Sequence, residues 1–229
     1  MKTRVEAMTF RTVLAAGALA TLWISGASAG EPAQTAAVTP PTVVVPTDFQ
    51  TTWDRLTRAL NEGDFTINAT IKESATIRVL LQSKIPSTWV DCGRISVHSK
   101  HKIFGERNYN FPAANSVRYM VADEELDELV DVERRTSLNA LATIRLKPVQ
   151  SGTQVSVDAQ YVMKVRTREF GKRIEPRKLD QNMDFTSGGH AELHEEIREG
   201  AKMKPVTTSC HPTGELERHI VSVLGTPVS

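Results

Sequence analysis

Between Thr153 and Arg168 apolar side chains recur at every second position: Val155, Val157, Ala159, Tyr161, Met163 and Val165. A period of two sends these residues to one face of a strand and Asp158, Lys164 and Arg166 to the other, so one face is predicted to be buried and the other wet. Leu138 to Pro148 is a second strand-like run. Gln150-Ser151-Gly152 between the two is a hairpin signal, because glycine tolerates the positive φ that tight turns need. Upstream, Phe49, Trp53, Leu56 and Leu60 are spaced by four, three and four, which is one face of a helix. Thr47 or Asp48 can cap it and Asn61 with Gly63 can end it, so a helix is predicted over 48–62.

Shorter alternations predict strands at Phe65 to Ala69, Ile77 to Leu81, Arg94 to Ser99 and Val117 to Val121. Residues 100–115 carry Gly105, Asn108, Asn110 and Pro112 and read as loop, whereas the acid-rich run from Asp123 to Glu133 matches neither period. Lys172 to Lys178 reads as loop, Asn182 to Ser187 as an edge strand and His190 to Lys202 as a polar helix. A last helix starts after Thr213, carries the stripe Leu216, Ile220, Val221 and Leu224, and stops at Gly225 and Pro227. The expected fold class is therefore α+β: an antiparallel sheet packed with an N-terminal and a C-terminal helix.

The first residues alter this picture. Lys2, Arg4 and Arg11 precede the apolar run Val13 to Ile24, and Ala27-Ser28-Ala29 puts small residues where a signal peptidase cuts, so residues 1–29 are expected to be a secretory signal peptide. The run is shorter than the roughly 20 apolar residues a bilayer-spanning helix needs, and no cysteine stands at the cleavage site to carry a lipid anchor. Residues 30–47, with Pro32, Pro40, Pro41 and Pro46, read as a flexible Pro/Ala/Thr-rich tail, and 48–229 as a single α+β domain. A periplasmic location, with no transmembrane segment in the mature chain, is the expectation. Cys92 and Cys210 are the two cysteines; in an oxidising compartment a lone pair is expected to form a disulfide, with two buried thiols as the alternative.

Candidate chemistry is sparse. His190 and His194 stand four apart, yet His190-Ala191-Glu192-Leu193-His194 lacks the general-base glutamate of a zinc-protease helix, and neither they nor His98 and His101 have an obvious third ligand, so no metal is expected. No Gly-x-Ser-x-Gly elbow or phosphate loop occurs, so no catalytic residues, no cofactor and no enzymatic activity are expected. A formal charge of +1 gives no reason to expect nucleic acid. Local charge is more pointed. Lys164, Arg166, Arg168, Lys172, Arg173, Arg177 and Lys178 crowd one hairpin end and its loop, with Arg168, Lys172, Arg173 and Arg177 as the basic docking set, and Glu124, Glu125, Asp127 and Glu128 form an acidic one. Each is a candidate docking patch for an envelope protein complex, the basic one also for anionic lipid or peptidoglycan. Phe49, Trp53, Phe65, Trp89 and Tyr161 are candidates to line an apolar ligand site, although aromatics at such spacing more often form core.

The segment Phe49-x-x-x-Trp53-x-x-Leu56-x-x-x-Leu60 followed by Phe65-x-Ile67 resembles the opening of the domains in BamC-like proteins, the C lipoprotein of the outer-membrane β-barrel assembly machinery. The pairing of Val90-Asp91-Cys92-Gly93 with a late Cys210-x-x-Thr213-Gly214-x-Leu216-Glu217 is similar to small Gram-negative envelope proteins. The resemblance implies a helix-grip fold, in which a curved antiparallel sheet wraps a helix. It also implies a periplasmic, non-enzymatic accessory role in envelope assembly or maintenance, or carriage of a lipid or other apolar molecule in the helix-grip cleft.

Overall fold

In the computed structural model, which describes residues 42–172, 174 and 177–225, the chain runs β1 (Thr42–Val45), α1 (Phe49–Glu62), β2 (Thr66–Ile71), β3 (Thr76–Ser83), β4 (Val90–Asp91), β5 (Arg94–His101), β6 (Gly105–Pro112), β7 (Val117–Asp123), β8 (Glu128–Val149), β9 (Gly152–Phe170), β10 (Lys178–Thr186), β11 (Ala191–Glu199), β12 (Lys202–Pro212) and α2 (Glu215–Ser222). Of the described residues 62% are strand and 15% helical, which makes the fold β-rich and overturns the expected helix-grip-like α+β packing of a sheet with an N-terminal and a C-terminal helix. Two stretches account for much of the difference. Residues within 100–115, read as loop, form β6, and most of the polar helix expected over 190–202 is the strand β11. The expected signal peptide, residues 1–29, lies outside the described residues, and β1 occupies part of the stretch expected to be tail.

The hairpin of β8 and β9 organises the rest. Its strands are 22 and 19 residues long, and burial alternates along both, as the period-two pattern requires. The main sheet has the order β1-β9-β8-β3-β2, with β10 also pairing β9 and β7 also pairing β8. Each long strand thus carries two shorter neighbours on one edge, one beyond the other. On β9, β1 pairs with Thr153 to Ser156 and β10 with Gln160 to Arg168. On β8, β3 pairs with Leu138 to Arg145 and β7 with Glu128 to Arg134. Gly152, in the hairpin turn, has φ +138 and lies so close to β1 that a Cβ would stand 2.0 Å from the Val45 carbonyl oxygen, which only glycine permits.

Near the turn the inward face is apolar: Leu138, Ala140, Ala142, Ile144 and Leu146 on β8, with Val155, Val157, Ala159 and Tyr161 on β9, all buried. α1 packs against both strands and α2 against β9. Helix α1 begins where Asp48 accepts hydrogen bonds from the Thr51 N–H at 3.0 Å and the Thr51 hydroxyl at 2.6 Å. These bonds, the hydroxyl's first, hold the Asp48 carboxyl below the ordinary aspartate range. It buries Thr52, Trp53, Leu56 and Leu60.

Toward the other end polar and charged residues join Val130, Val132 and Val165 on the inward face. Thr136, Arg134 and Glu128 on β8 and Thr167 and Glu169 on β9 are buried there, and the cover consists of strands. The β5–β6 hairpin forms one small sheet, and β11-β12-β4 another. Arg134, with no side-chain exposure, donates to both oxygens of Glu195 on β11 at 2.8 and 2.7 Å and to the Asn115 carbonyl at 2.9 Å. Arg198, also on β11, donates to Glu169 at 2.9 Å and Asp123 at 3.0 Å. The edge of β7 that faces β5 and β6 is satisfied by side chains: the Tyr109 hydroxyl donates to the Met120 carbonyl and accepts from the Met120 N–H, and Ser99 Oγ accepts from the Ala122 N–H.

Cys92 and Cys210 are bonded, and the link joins the start of β5 to β12 across 118 residues of sequence. Both are buried, and the Cys92 sulfur lies 3.9 Å from that of Met163 on β9.

Arg134→Ala should destabilise the protein by about 3–5 kcal/mol, because it strands a buried carboxylate. The apolar double replacement Arg134→Met with Glu195→Leu should cost far less, and urea unfolding of the three variants checks this. If the single and double variants unfold alike, the pair does not act as a unit. Serine at Cys92 or Cys210 should lower stability by about 2–5 kcal/mol; identical melting of oxidised and reduced wild-type protein would contradict that.

Candidate functional site

The two charged sets occupy neighbouring turns. Glu124, Glu125 and Asp127 are exposed on the β7–β8 turn. Glu128, the fourth member of the acidic set, is the first inward residue of β8: it is buried and its Oε2 accepts the Lys172 N–H at 3.0 Å. The acidic set therefore presents three side chains, not four. Of the basic set, Arg168 and Lys172 are exposed, Arg177 is half-buried and paired with Glu196 on β11, and Arg173 lies outside the described residues. Asp127 and Lys172, one from each turn, line the same recess with Phe104, Glu128 and Leu129, of about 350 Å³. Asp127 also stands 3.2 Å from His101 Nε2. The sets meet at one end of the β8–β9 hairpin, in mixed charge.

Strand pairing adds Arg118 and Arg135 to the basic residues that crowd the hairpin end in the sequence and makes a larger cationic surface. The outward face of β7, β8, β9 and β10 carries Arg118, Arg135, Lys164, Arg166, Arg168 and Lys178, brought level by strand register. Three of the acids there are engaged, and Asp184 lies farther along β10. Asp131 accepts from Arg118 Nε at 3.0 and 2.9 Å, Glu133 is 2.7 Å from Arg135, and Asp180 is 4.0 Å from Arg166. The hydrogen bond from Arg118 holds the Asp131 carboxyl below its ordinary value and, in turn, raises that of Arg118. Met120 and Phe170 are exposed on the same face, at 41% and 45%.

The five aromatic candidates fall into separate contacts. Phe49 stacks on Trp53 at 5.8 Å, Phe65 and Trp89 each meet the His219 ring, at 5.6 and 6.1 Å, and Tyr161 stacks on Phe185 at 5.4 Å. Trp53, Phe65 and Tyr161 are buried members of the core, and Phe49 and Trp89 pack against it. Trp53 also borders an outer recess of about 460 Å³ beside α1.

Tyr161 has a second role. Its hydroxyl donates to Glu217 Oε1 at 2.8 Å, and so does that of Ser187 at 2.6 Å, while the Ala159 N–H donates to Ser187 Oγ at 2.7 Å. Glu217 lies in the first turn of α2 and is buried, and its Oε2 has no hydrogen-bond partner among the described residues. The cluster pins α2 to β9, and the positive end of the helix favours the carboxylate. With Tyr161 fully buried and Glu217 at 1% exposure, it offers no route for a substrate. His190 and His194 do not stand on adjacent helical turns: His190 precedes β11 and His194 lies on it, bonded to Thr207 at 3.0 Å. Among the described residues no group of three or more His, Cys, Asp or Glu side chains could hold a metal ion, and no helix is long and apolar enough to cross a membrane.

Comparison of the chain with protein families, characterised proteins and solved structures finds no match.

Burial, then the nearby charge of Glu217, raises the Tyr161 phenol well above the ordinary tyrosine value of 10.0. Burial and the charge of Glu195 do the same to Tyr119. In the unfolded chain both ionise near 10.0, so the stabilisation they contribute is fully present below that pH and is lost as pH rises past it. Melting temperature should fall steeply above pH 10.0, with the phenolate absorbance of these two rings appearing only on unfolding. Phenolate formation at both sites in protein that keeps its native circular dichroism would contradict this.

Proposed function

We propose that the chain is an exported, non-enzymatic accessory protein of the cell envelope that works by surface docking to an envelope protein complex, in outer-membrane assembly or maintenance. The observation that carries this reading is the division of its charges. Inside, the guanidinium of Arg134 and that of Arg198 are each matched to carboxylates, so the buried ionic groups have structural work. Outside, Glu124 and Glu125 on the β7–β8 turn, Lys172 just after β9 and Arg168 near the end of β9 are exposed, where no folding requirement calls for them. The buried disulfide suits an oxidising, exported setting.

An apolar carrier is less well supported. A helix-grip cleft is not available in this fold, and the aromatic side chains named for it are spent on core packing.

Crosslinking the tagged mature protein in cells, followed by mass spectrometry, tests the docking role. The expected outcome is recovery of an envelope protein that falls several-fold when Arg168, Lys172 and Arg177 are changed to glutamate, with the loss largest at low salt in a reconstituted capture. Equal recovery by the reversed-charge variant would remove this loop end as the docking site.

A further inference from the structure

We propose that the outward face of β7, β8, β9 and β10 docks on the anionic headgroups of a phospholipid surface. The register supplies the first argument. Arg135 stands directly opposite Arg166 across β8 and β9, and Arg168 directly opposite Lys178 across β9 and β10. Like charges directly opposite one another destabilise a sheet; Glu133, opposite both Arg118 and Arg168, and Asp180, opposite Arg166, relieve these rows only in part, because the face carries more basic than acidic residues. The second argument is neutralisation. Arg118, Arg135 and Arg166 have carboxylates beside them, but Lys164, Arg168 and Lys178 have none within 4.0 Å among the described residues. Positive charge is left over on an open face instead of being gathered in a pocket, which suits an extended anionic surface better than one small anion.

Apolar exposure points the same way. Met120 and Phe170 flank Asp131 in one cross-strand row, at 41% and 45% exposure, beside the row that holds Arg118, Glu133, Arg168 and Lys178. Basic residues bordered by exposed apolar side chains are the composition that lies in a headgroup layer, with the apolar groups entering shallowly. An acidic protein partner is disfavoured by Lys164 and Lys178, since lysine is depleted from protein interfaces. The acidic β7–β8 turn, with Glu124 and Glu125 exposed, would be repelled by the same surface, so the sheet would lie face-on and not loop-first.

Lipid docking by this face is independent of whether the loop end captures a protein. Co-sedimentation of the oxidised, full mature chain with vesicles tests it, using phosphatidylcholine alone and phosphatidylcholine with about one third phosphatidylglycerol, the anionic lipid that attracts basic residues. The expected result is binding to the anionic vesicles only, abolished by high salt. The variant carrying Arg135→Gln, Lys164→Gln and Arg166→Gln should bind about a hundredfold more weakly, each basic residue near the surface contributing about fivefold. These positions differ from those reversed in the protein-capture experiment, so the two can fail separately. Glu124→Gln with Glu125→Gln should not weaken lipid binding. Equal sedimentation with neutral and anionic vesicles, or undiminished binding by the triple variant with unchanged melting temperature, would overturn the proposal. Salt-sensitive binding to polyglutamate without any to anionic vesicles would reassign the face to an acidic protein.

Discussion

A strand of 22 residues paired to one of 19 must bury a single continuous face, and every other element is placed by that need. Neither helix can cover it alone, since α1 has 14 residues and α2 has 8, with about 1.5 Å of rise each against about 3.3 Å per strand residue. The solution is two covers on one hairpin. Near the turn the inward side chains are apolar and helices lie on them. Beyond Thr136 the charged or polar Arg134, Glu128, Thr167 and Glu169 are interspersed with Val130 and Val132, and strands lie on them instead, bringing their own ionic partners. A one-residue slip of β11 would turn Glu195 to solvent and leave Arg134 buried alone. The Arg134–Glu195 pair therefore specifies register, and the Cys92–Cys210 bond, at the far end of β12, holds the same small sheet to the core behind it.

The same pair explains where the sequence misleads. Helix α1 and the β8–β9 turn were legible because their buried positions are apolar and the period shows directly. On β11 the inward residues are Leu193, Glu195 and Ile197. With a glutamate in the middle, the two apolar residues are left four apart, a spacing that fits a helix as well as a strand. On β8 the inward run Glu128, Val130, Val132, Arg134 carries two charges, and with Leu126 and Leu129 nearby no period emerges. Each misreading is one half of a buried ion pair or hydrogen bond whose other half lies elsewhere in the chain. β6 failed differently: its inward Tyr109 and Phe111 alternate with Asn108 and Asn110, which are turn-formers elsewhere.

Surface groups were legible only as far as they are contiguous. Arg168 and Lys172 could be grouped by proximity along the chain, but Arg118 and Arg135 join them through strand pairing, which composition does not reveal. Glu128 shows the converse error. It sits among acids in sequence, yet alternation turns it inward, where it accepts the backbone of Lys172.

Two populations of charge thus share one hairpin and obey opposite rules. Inward, each guanidinium meets a carboxylate at hydrogen-bond distance, because an unmatched ion there would cost several kcal/mol. Outward, arginine faces arginine in register, a cost of less than about 1 kcal/mol that solvent makes tolerable. The inward set has a sufficient explanation in folding; the outward set has one in part, since Asp131, Glu133 and Asp180 pair with Arg118, Arg135 and Arg166, while Lys164, Arg168 and Lys178 have no carboxylate within 4.0 Å among the described residues. The interior charges are therefore fixed by stability, whereas the unmatched outward ones are free of that constraint.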